Sequence, residues 1–370
     1  MISVLGSLLK DASGITDRRF FINALLPSVL FCGLVLSIAV AAGQGLGTAA
    51  ATWNGTPAGV KTLQVAVFLA AAALLAGGLA SQRTTILRWF EGYWTSGLGR
   101  GPARIGRQYH RRKHIRLGEL ITEGDTTAYE TVYICYPPLT QPEQVMPTRL
   151  GNVLKSAELY PYSRYSIDAV LTWPRLYHQL PERFLTTFSV AKADLDLMLG
   201  LSTLSALFSV GSAAYLMGVS GPVWLFLACL WGGALVAYLS YRSALSNAMV
   251  YAHQVRVAFD LYRNELRDHL GDGQRRDEAD ERDYWQRLCL FWYRGIPRDH
   301  AATPADADSW EKRSRLWSRL IPAGKAETDM PPPRDNVDPA TARPPFTLSL
   351  STWSAVIVTL FGAIGVMVLA

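Results

Sequence analysis

Asp194, Ser202, Ser205, Ser209 and Ser212 fall within about 80° of arc when placed on a helix at 100° per residue. In an apolar helix, a line of hydroxyls with a carboxylate at its inner mouth has the chemistry of an ion path. The oxygens replace part of a cation's hydration shell, and the acid concentrates cations at the entrance. The same spacing has a structural use, because serine is small enough to let membrane helices approach closely. Gly200, Gly211 and Gly218 gather on another face, about 240–260° round the wheel from Asp194, which suits packing on a neighbour. Asp194 and Asp196 also stand where they would cap the start of a membrane helix and complement its dipole.

A second concentration of chemistry is cationic. Arg83, Arg88, Arg100, Arg104, Arg107, Arg111, Arg112, Lys113 and Arg116 face a single acid, Glu91. Arg104, Arg107, Arg111, Arg112, Lys113 and Arg116 form the candidate anion site, and three kinds of partner suit it. Anionic lipid headgroups would follow from the positive-inside tendency. A nucleotide or short oligonucleotide would place phosphates on the cations and stack bases on Tyr109, His110 or Trp94. A cytoplasmic protein is the third. Gly97, Gly99, Gly101, Pro102 and Gly106 predict that this stretch is an adaptable loop and not one helix.

Enzymatic signatures are missing: the sequence holds no GxxxxGK[ST], HExxH or GxSxG. His110 and His114 share a helical face, but Arg111, Arg112 and Lys113 between them would repel a metal ion. Cys32 and Cys229 fall in apolar stretches, Cys135 and Cys289 are isolated, and no CxxC spacing occurs. Neither catalysis, a metal nor a cofactor is expected.

The elements that must position these residues are set by solvent. Residues 20–43, 62–82, 197–241 and 346–370 carry no charged side chain, and the third stretch breaks into two at residues 218–222. A hydrocarbon core about 30 Å thick needs about 20 apolar residues at 1.5 Å each. With 49% hydrophobic and only 18% charged residues, the chain reads as a polytopic membrane protein of five spans. Ala39–Ala41 would suit signal-peptide cleavage, but the apolar run before it is too long and begins too late. The positive-inside rule puts the N-terminus, residues 83–192 and residues 242–343 in the cytoplasm, and the C-terminus outside.

The fold class expected is mainly α: two transmembrane hairpins (20–82 and 196–242) plus a C-terminal transmembrane helix (346–370). Residues 1–19 form an interfacial amphipathic helix, with Ile2, Leu5, Leu8 and Leu9 on one side. Residues 83–195 form a small α+β cytoplasmic block. Within it, residues 126–136 alternate β-branched and aromatic side chains and predict a strand. Thr148 caps a helix through about Leu159, and Pro181 with Glu182 opens another. The fourth span, free of Gly and Pro from Ala234 to Leu270, continues into the cytoplasm for about 70 Å. Its Ser240, Ala244, Ala248 and Ala252 make a ladder of small residues. Residues 243–295 end in a helix whose Glu281, Tyr284, Trp285, Leu288, Phe291 and Trp292 recur at helical spacing, and residues 296–345 are a Pro-rich tether.

PTRLGNVL at residues 147–154, Glu158, Arg164-Tyr165, Asp168-Ala169 and WPRL at 173–176 are followed by VRVAFDLYR at 255–263 and preceded by EGYW at 91–94. Together they resemble an uncharacterised family of bacterial multi-spanning membrane proteins with no assigned function. The resemblance covers most of residues 20–295, transfers no catalytic or binding residue, and implies a bacterial inner membrane. Read for themselves, Arg149, Glu158, Arg164, Asp168 and Arg175 among Tyr160, Tyr162, Tyr165, Trp173 and Tyr177 suit a folded platform or intersubunit contact, or else a ligand pocket. The function expected is a homo-oligomeric membrane effector or ion channel with a cytoplasmic sensing region. In architecture it resembles phage-defence effectors gated by an anionic nucleotide or oligonucleotide. The alternative is a non-conducting scaffold that recruits cytoplasmic partners.

Overall fold

A computed structural model describes residues 21–43, 45–94, 97–271 and 277–295. Among them are eleven α-helices and no strand. The expected N-terminal interfacial helix, tether and C-terminal span lie outside the described residues. Four helices are long and apolar enough to cross a membrane, at Phe21–Gly43, Ala58–Ser81, Glu182–Gly218 and Val223–His269. The chain divides into two compact units, whose described parts are residues 21–82 with 200–241, and residues 83–199 with 242–295.

In the first unit a π-helical turn, Phe21–Leu25, leads into α1 (Leu26–Gly43); α2 (Leu46–Gly55) and α3 (Ala58–Ser81) follow. Pro27 has no amide hydrogen and its ring crowds the carbonyl four residues back, so the wide turn before it relieves both. Cys32, Ala72, Leu75 and Leu204 form one buried cluster, and Ile38, Leu216 and Cys229 another. Between Met217 and Val223 the chain reverses, with Ser220 at φ 51° and the Gly221 amide on the Leu216 carbonyl at 2.8 Å.

The second unit holds α4 (Arg83–Glu91), α5 (Gly97–Thr122), α6 (Thr126–Cys135), α7 (Arg149–Tyr165), α8 (Ala169–Tyr177) and α11 (Glu278–Arg294). It also holds the first part of α9 (Glu182–Gly218) and the last part of α10 (Val223–His269). The expected strand at residues 126–136 is instead helix α6, so this block is all-α. Asp125 caps α6 by accepting from the amides of Thr127 and Ala128, and Ala128, Val132 and Cys135 are its buried side. That spacing is helical; the alternation of β-branched residues was a coincidence of composition.

The basic stretch is likewise one helix, α5, and not a loop. Ala103, Gly106, His110, His114 and Leu117 recur every three or four residues on its inner side, and burying that stripe outweighs the cost of its glycines. Asp194 and Asp196 do not cap a helix. The helix opened after Pro181 runs 37 residues without interruption, so both acids stand in its interior. No Gly or Pro lies between Pro181 and Gly200 to stop it. Helix α10 runs 47 residues, and its stretch without Gly or Pro from Ala234 carries it on to His269, as expected. The core of this unit is Ile167, Leu176, Phe259, Trp285 and Leu288. Trp173 joins it, with its ring 5.1 Å from Phe188 and 5.9 Å from Phe259.

The segments EGYW at 91–94 and PTRLGNVL at 147–154 meet at one junction. Gly92 has φ 91°, and a β-carbon there would lie 2.3 Å from Pro147 Cγ. A β-carbon on Gly106 would lie 2.4 Å from the Pro147 carbonyl, and one on Gly151 would lie 2.2 Å from the Glu91 carbonyl. Thr148 caps α7 through the Gly151 amide, while Asn152 accepts from the Met146 amide and donates to the Met146 and Thr148 carbonyls. Backbone therefore touches backbone where α4, α5 and α7 join. Gly151→Ala is expected to lower stability by about 1–3 kcal/mol through overpacking. Gly101→Ala, with open space around it, is expected to be neutral or to gain up to about 1 kcal/mol of helix propensity. Thermal unfolding of the detergent-purified variants measures both.

Candidate functional site

Helix α5 turns its buried stripe toward Tyr136 and Pro137. His114 Nε2 lies 2.9 Å from the Pro137 carbonyl, and His110 Nδ1 lies 2.9 Å from the Tyr136 hydroxyl. Burial holds both imidazoles below their ordinary value, reinforced at His110 by Lys113 and Arg149. The histidines are thus neutral packing groups. Among the described residues, no three His, Cys, Asp or Glu side chains are grouped to hold a metal.

With the histidines inward, Arg104, Arg107, Arg111, Arg112, Lys113 and Arg116 are all exposed. Among the described residues none of the six is in an ion pair. The structure brings these residues together on one rigid element. Ile105, Tyr109 and Ile115 stand between them at 70%, 63% and 52% exposure.

The sequence reading missed a second ionic assembly. Arg256 of α10 is only 2% exposed. Its Nη2 donates to the Ser156 hydroxyl at 2.6 Å and to the Ile134 carbonyl at 3.3 Å. The guanidinium lies 4.7 Å from the Tyr133 ring centre and 5.9 Å from that of Tyr160. One turn on, Asp260 accepts from the Tyr160 hydroxyl at 3.1 Å and from the Tyr165 hydroxyl at 2.7 Å. Burial and the Asp260 charge push the Tyr160 phenol up. Arg263 stacks 4.0 Å from the Tyr165 ring centre and donates to Glu281 at 3.0 Å. The assembly ties α10 to α6, α7 and α11. The one available signal was spacing: Arg256 follows Ala244, Ala248 and Ala252 at the same four-residue step, on a row already marked as buried.

A third group surrounds Lys155, which is buried and pairs with Glu158 at 2.7 Å. Glu91 is pushed up to about 8, by burial first and by Glu158 second, against the pull of Lys155 and Arg88. Asp168, which caps α8 through the Leu171 amide, is raised to about 6, chiefly by burial.

The serines of α9 lie in the first unit, and Asp194, exposed, in the second. Ser202 donates to the Ala237 carbonyl at 2.9 Å, Ser209 to the Leu230 carbonyl at 2.6 Å, and Ser212 to the Phe208 carbonyl of its own helix. A β-carbon on Gly233 would lie 2.7 Å from Ser209 Cβ, so α9 and α10 pack closely there. Ser205 is half-buried.

No family model, curated protein or solved structure matches this chain.

The Lys155 group has a pH consequence. Because the folded pKa of Glu91 is raised, the folded chain holds a proton that the unfolded chain releases between the ordinary value of 4.5 and about 8. Stability therefore falls as pH rises across that window. Asp168 contributes the same sign, but only up to about 6. Glu91→Gln is expected to flatten the decline in melting temperature above about pH 6.5, where Asp168 is already ionised, and to leave below it only the shallower slope that Asp168 contributes.

Proposed function

We propose that this chain is a membrane-anchored scaffold of the bacterial inner membrane, whose extramembrane helical unit recruits cytoplasmic partners. The observation that carries this reading is where the polar chemistry lies. Residues 21–43, 62–82 and 200–241 contain no ionisable Asp, Glu, Lys or Arg. Ser202 and Ser209 spend their hydroxyls on carbonyls of the adjoining helix. A conducting path needs oxygens free to replace water around an ion, and coupled transport needs ionisable groups near the midplane.

The extramembrane unit, by contrast, invests its charge in a rigid frame. Arg256, Asp260, Arg263 and Glu281 join four helices. A preorganised surface loses little entropy when a partner binds, which suits recruitment. Positive-inside charge bias supports placing this unit on the cytoplasmic side.

A second reading is a homo-oligomeric channel gated by an anionic nucleotide or oligonucleotide, and Ser205 and the exposed Asp194 of the same helix favour it. Ion flux through the purified chain in liposomes separates the two. The scaffold reading predicts flux no greater than that of empty vesicles, with or without nucleotides and short oligonucleotides. Flux that is abolished by Ser205→Leu would overturn it. Ser205 is the informative position, because leucine at the tightly packed Ser209 would disrupt the hairpin itself.

A further inference from the structure

We propose that the outward face of α5 is a docking surface for the anionic headgroups of a lipid bilayer. Three observations converge. The first is rigidity: α5 is one helix from Gly97 to Thr122, seated by Ala103, Gly106, His110, His114 and Leu117. The cations are therefore held in a fixed arrangement about 18 Å long from Arg104 to Arg116, with Arg112 and Arg116 on the side away from the buried stripe and the other four spread to its flanks. No acid interrupts the helix before Glu119, so the array is complementary to a negative surface.

The second is the apolar content of that face. Ile105, Tyr109, Arg112 and Arg116 lie within about 60° of arc on the side away from the buried stripe. Ile105 at 70% exposure and Ile115 at 52% leave branched aliphatic surface in water between the cations. An isoleucine offers nothing to a phosphate and has no flat face on which a base would stack. It gains from the acyl boundary just beneath the headgroups, where arginine stems also lie flat while their guanidinium groups stay with phosphate. Tyr109, apolar in body and polar at its tip, suits the same depth. The mixture fits a lipid surface better than a nucleic acid.

The third is connectivity: residues 82–96 are all that separates α5 from α3, a helix long and apolar enough to span. Within that segment Trp89 is exposed and meets Phe90 edge-on and Trp94 at a tilt, a grouping of aromatic rings common at headgroup level.

The four native cysteines are all buried, so Ile105→Cys accepts an environment-sensitive fluorophore selectively in the full-length chain. Gln108→Cys, exposed on the same side of α5, repeats the measurement, and Glu130→Cys on α6 is the control position. The chain is placed in nanodiscs of phosphatidylcholine alone or with phosphatidylglycerol, each carrying a quencher at the acyl boundary. Quenching at 105 and 108, but not at 130, is expected only with phosphatidylglycerol, and high salt should weaken it. Arg112→Gln and Arg116→Gln should each weaken the engagement about fivefold, the equivalent of roughly 1 kcal/mol per cation at such a surface. A probe that stays in water with phosphatidylglycerol overturns the proposal, as does equal quenching in phosphatidylcholine alone. Tight binding of a short single-stranded oligonucleotide by protein whose probe remains unquenched would assign the face to nucleic acid instead. None of these outcomes depends on whether the chain conducts ions.

Discussion

A guanidinium cannot be taken out of water without replacing most of what water gave it, and Arg256 imposes that condition on the whole second unit. Among the described residues, no carboxylate reaches it within bonding distance. A hydroxyl, a carbonyl and two aromatic faces stand in, and Asp260 offsets its charge from one turn away. Each group comes from a different place in the chain: Ile134 and Tyr133 from α6, Ser156 and Tyr160 from α7, and Asp260 from α10 itself. Breaking such an assembly by removing one member costs more than the assembly contributes as a whole. It also ties the arrangement to particular partners, because Ser156, Ile134 and the two rings meet Arg256 only where α6, α7 and α10 come together.

The glycine junction complements this arrangement by different physics. Gly92, Gly106 and Gly151 allow backbone to meet backbone, so α4, α5 and α7 are located by van der Waals contact and by the Asn152 amide. Helix α5 has its inward side set by that contact and by two neutral histidines. Its outward side is thereby free to hold uncompensated positive charge. The cations themselves contribute nothing to folding that would explain their number. Repulsion among them is a cost, and the buried stripe offsets it.

Much of the architecture was legible without coordinates. The four apolar helices follow from charge-free length, and the continuation of α10 beyond its apolar part from the lack of Gly and Pro after Gly233. The cap at Thr148 follows from a hydroxyl placed three residues before an amide that would otherwise go unbonded. Two errors have one origin. Residues 126–136 suggest a strand because β-branched and aromatic residues alternate over a short window, where periods of 2 and 3.6 are hard to separate. The glycines from Gly97 to Gly106 suggest a loop because glycine is costly in an isolated helix, whereas this helix is stabilised by what it packs against. The reading of Asp194 as a cap failed in a related way, since a continuous helix leaves no terminus there to cap.

The sequence by itself determined the solvent of each segment and the persistence of the long helices, because both depend on a residue's own transfer free energy and its neighbours within a turn or two. It also determined that positive charge gathers between Arg83 and Arg116. Tertiary structure decided which polar groups are spent internally and which face outward. Ser202 and Ser209 bond to α10 across 35 and 21 residues of chain, and Arg256 bonds to Ser156 across 100. A hydroxyl or guanidinium has the same chemistry in either role. What differs is whether a distant carbonyl or ring arrives to replace water, and no local pattern in the chain encodes that arrival.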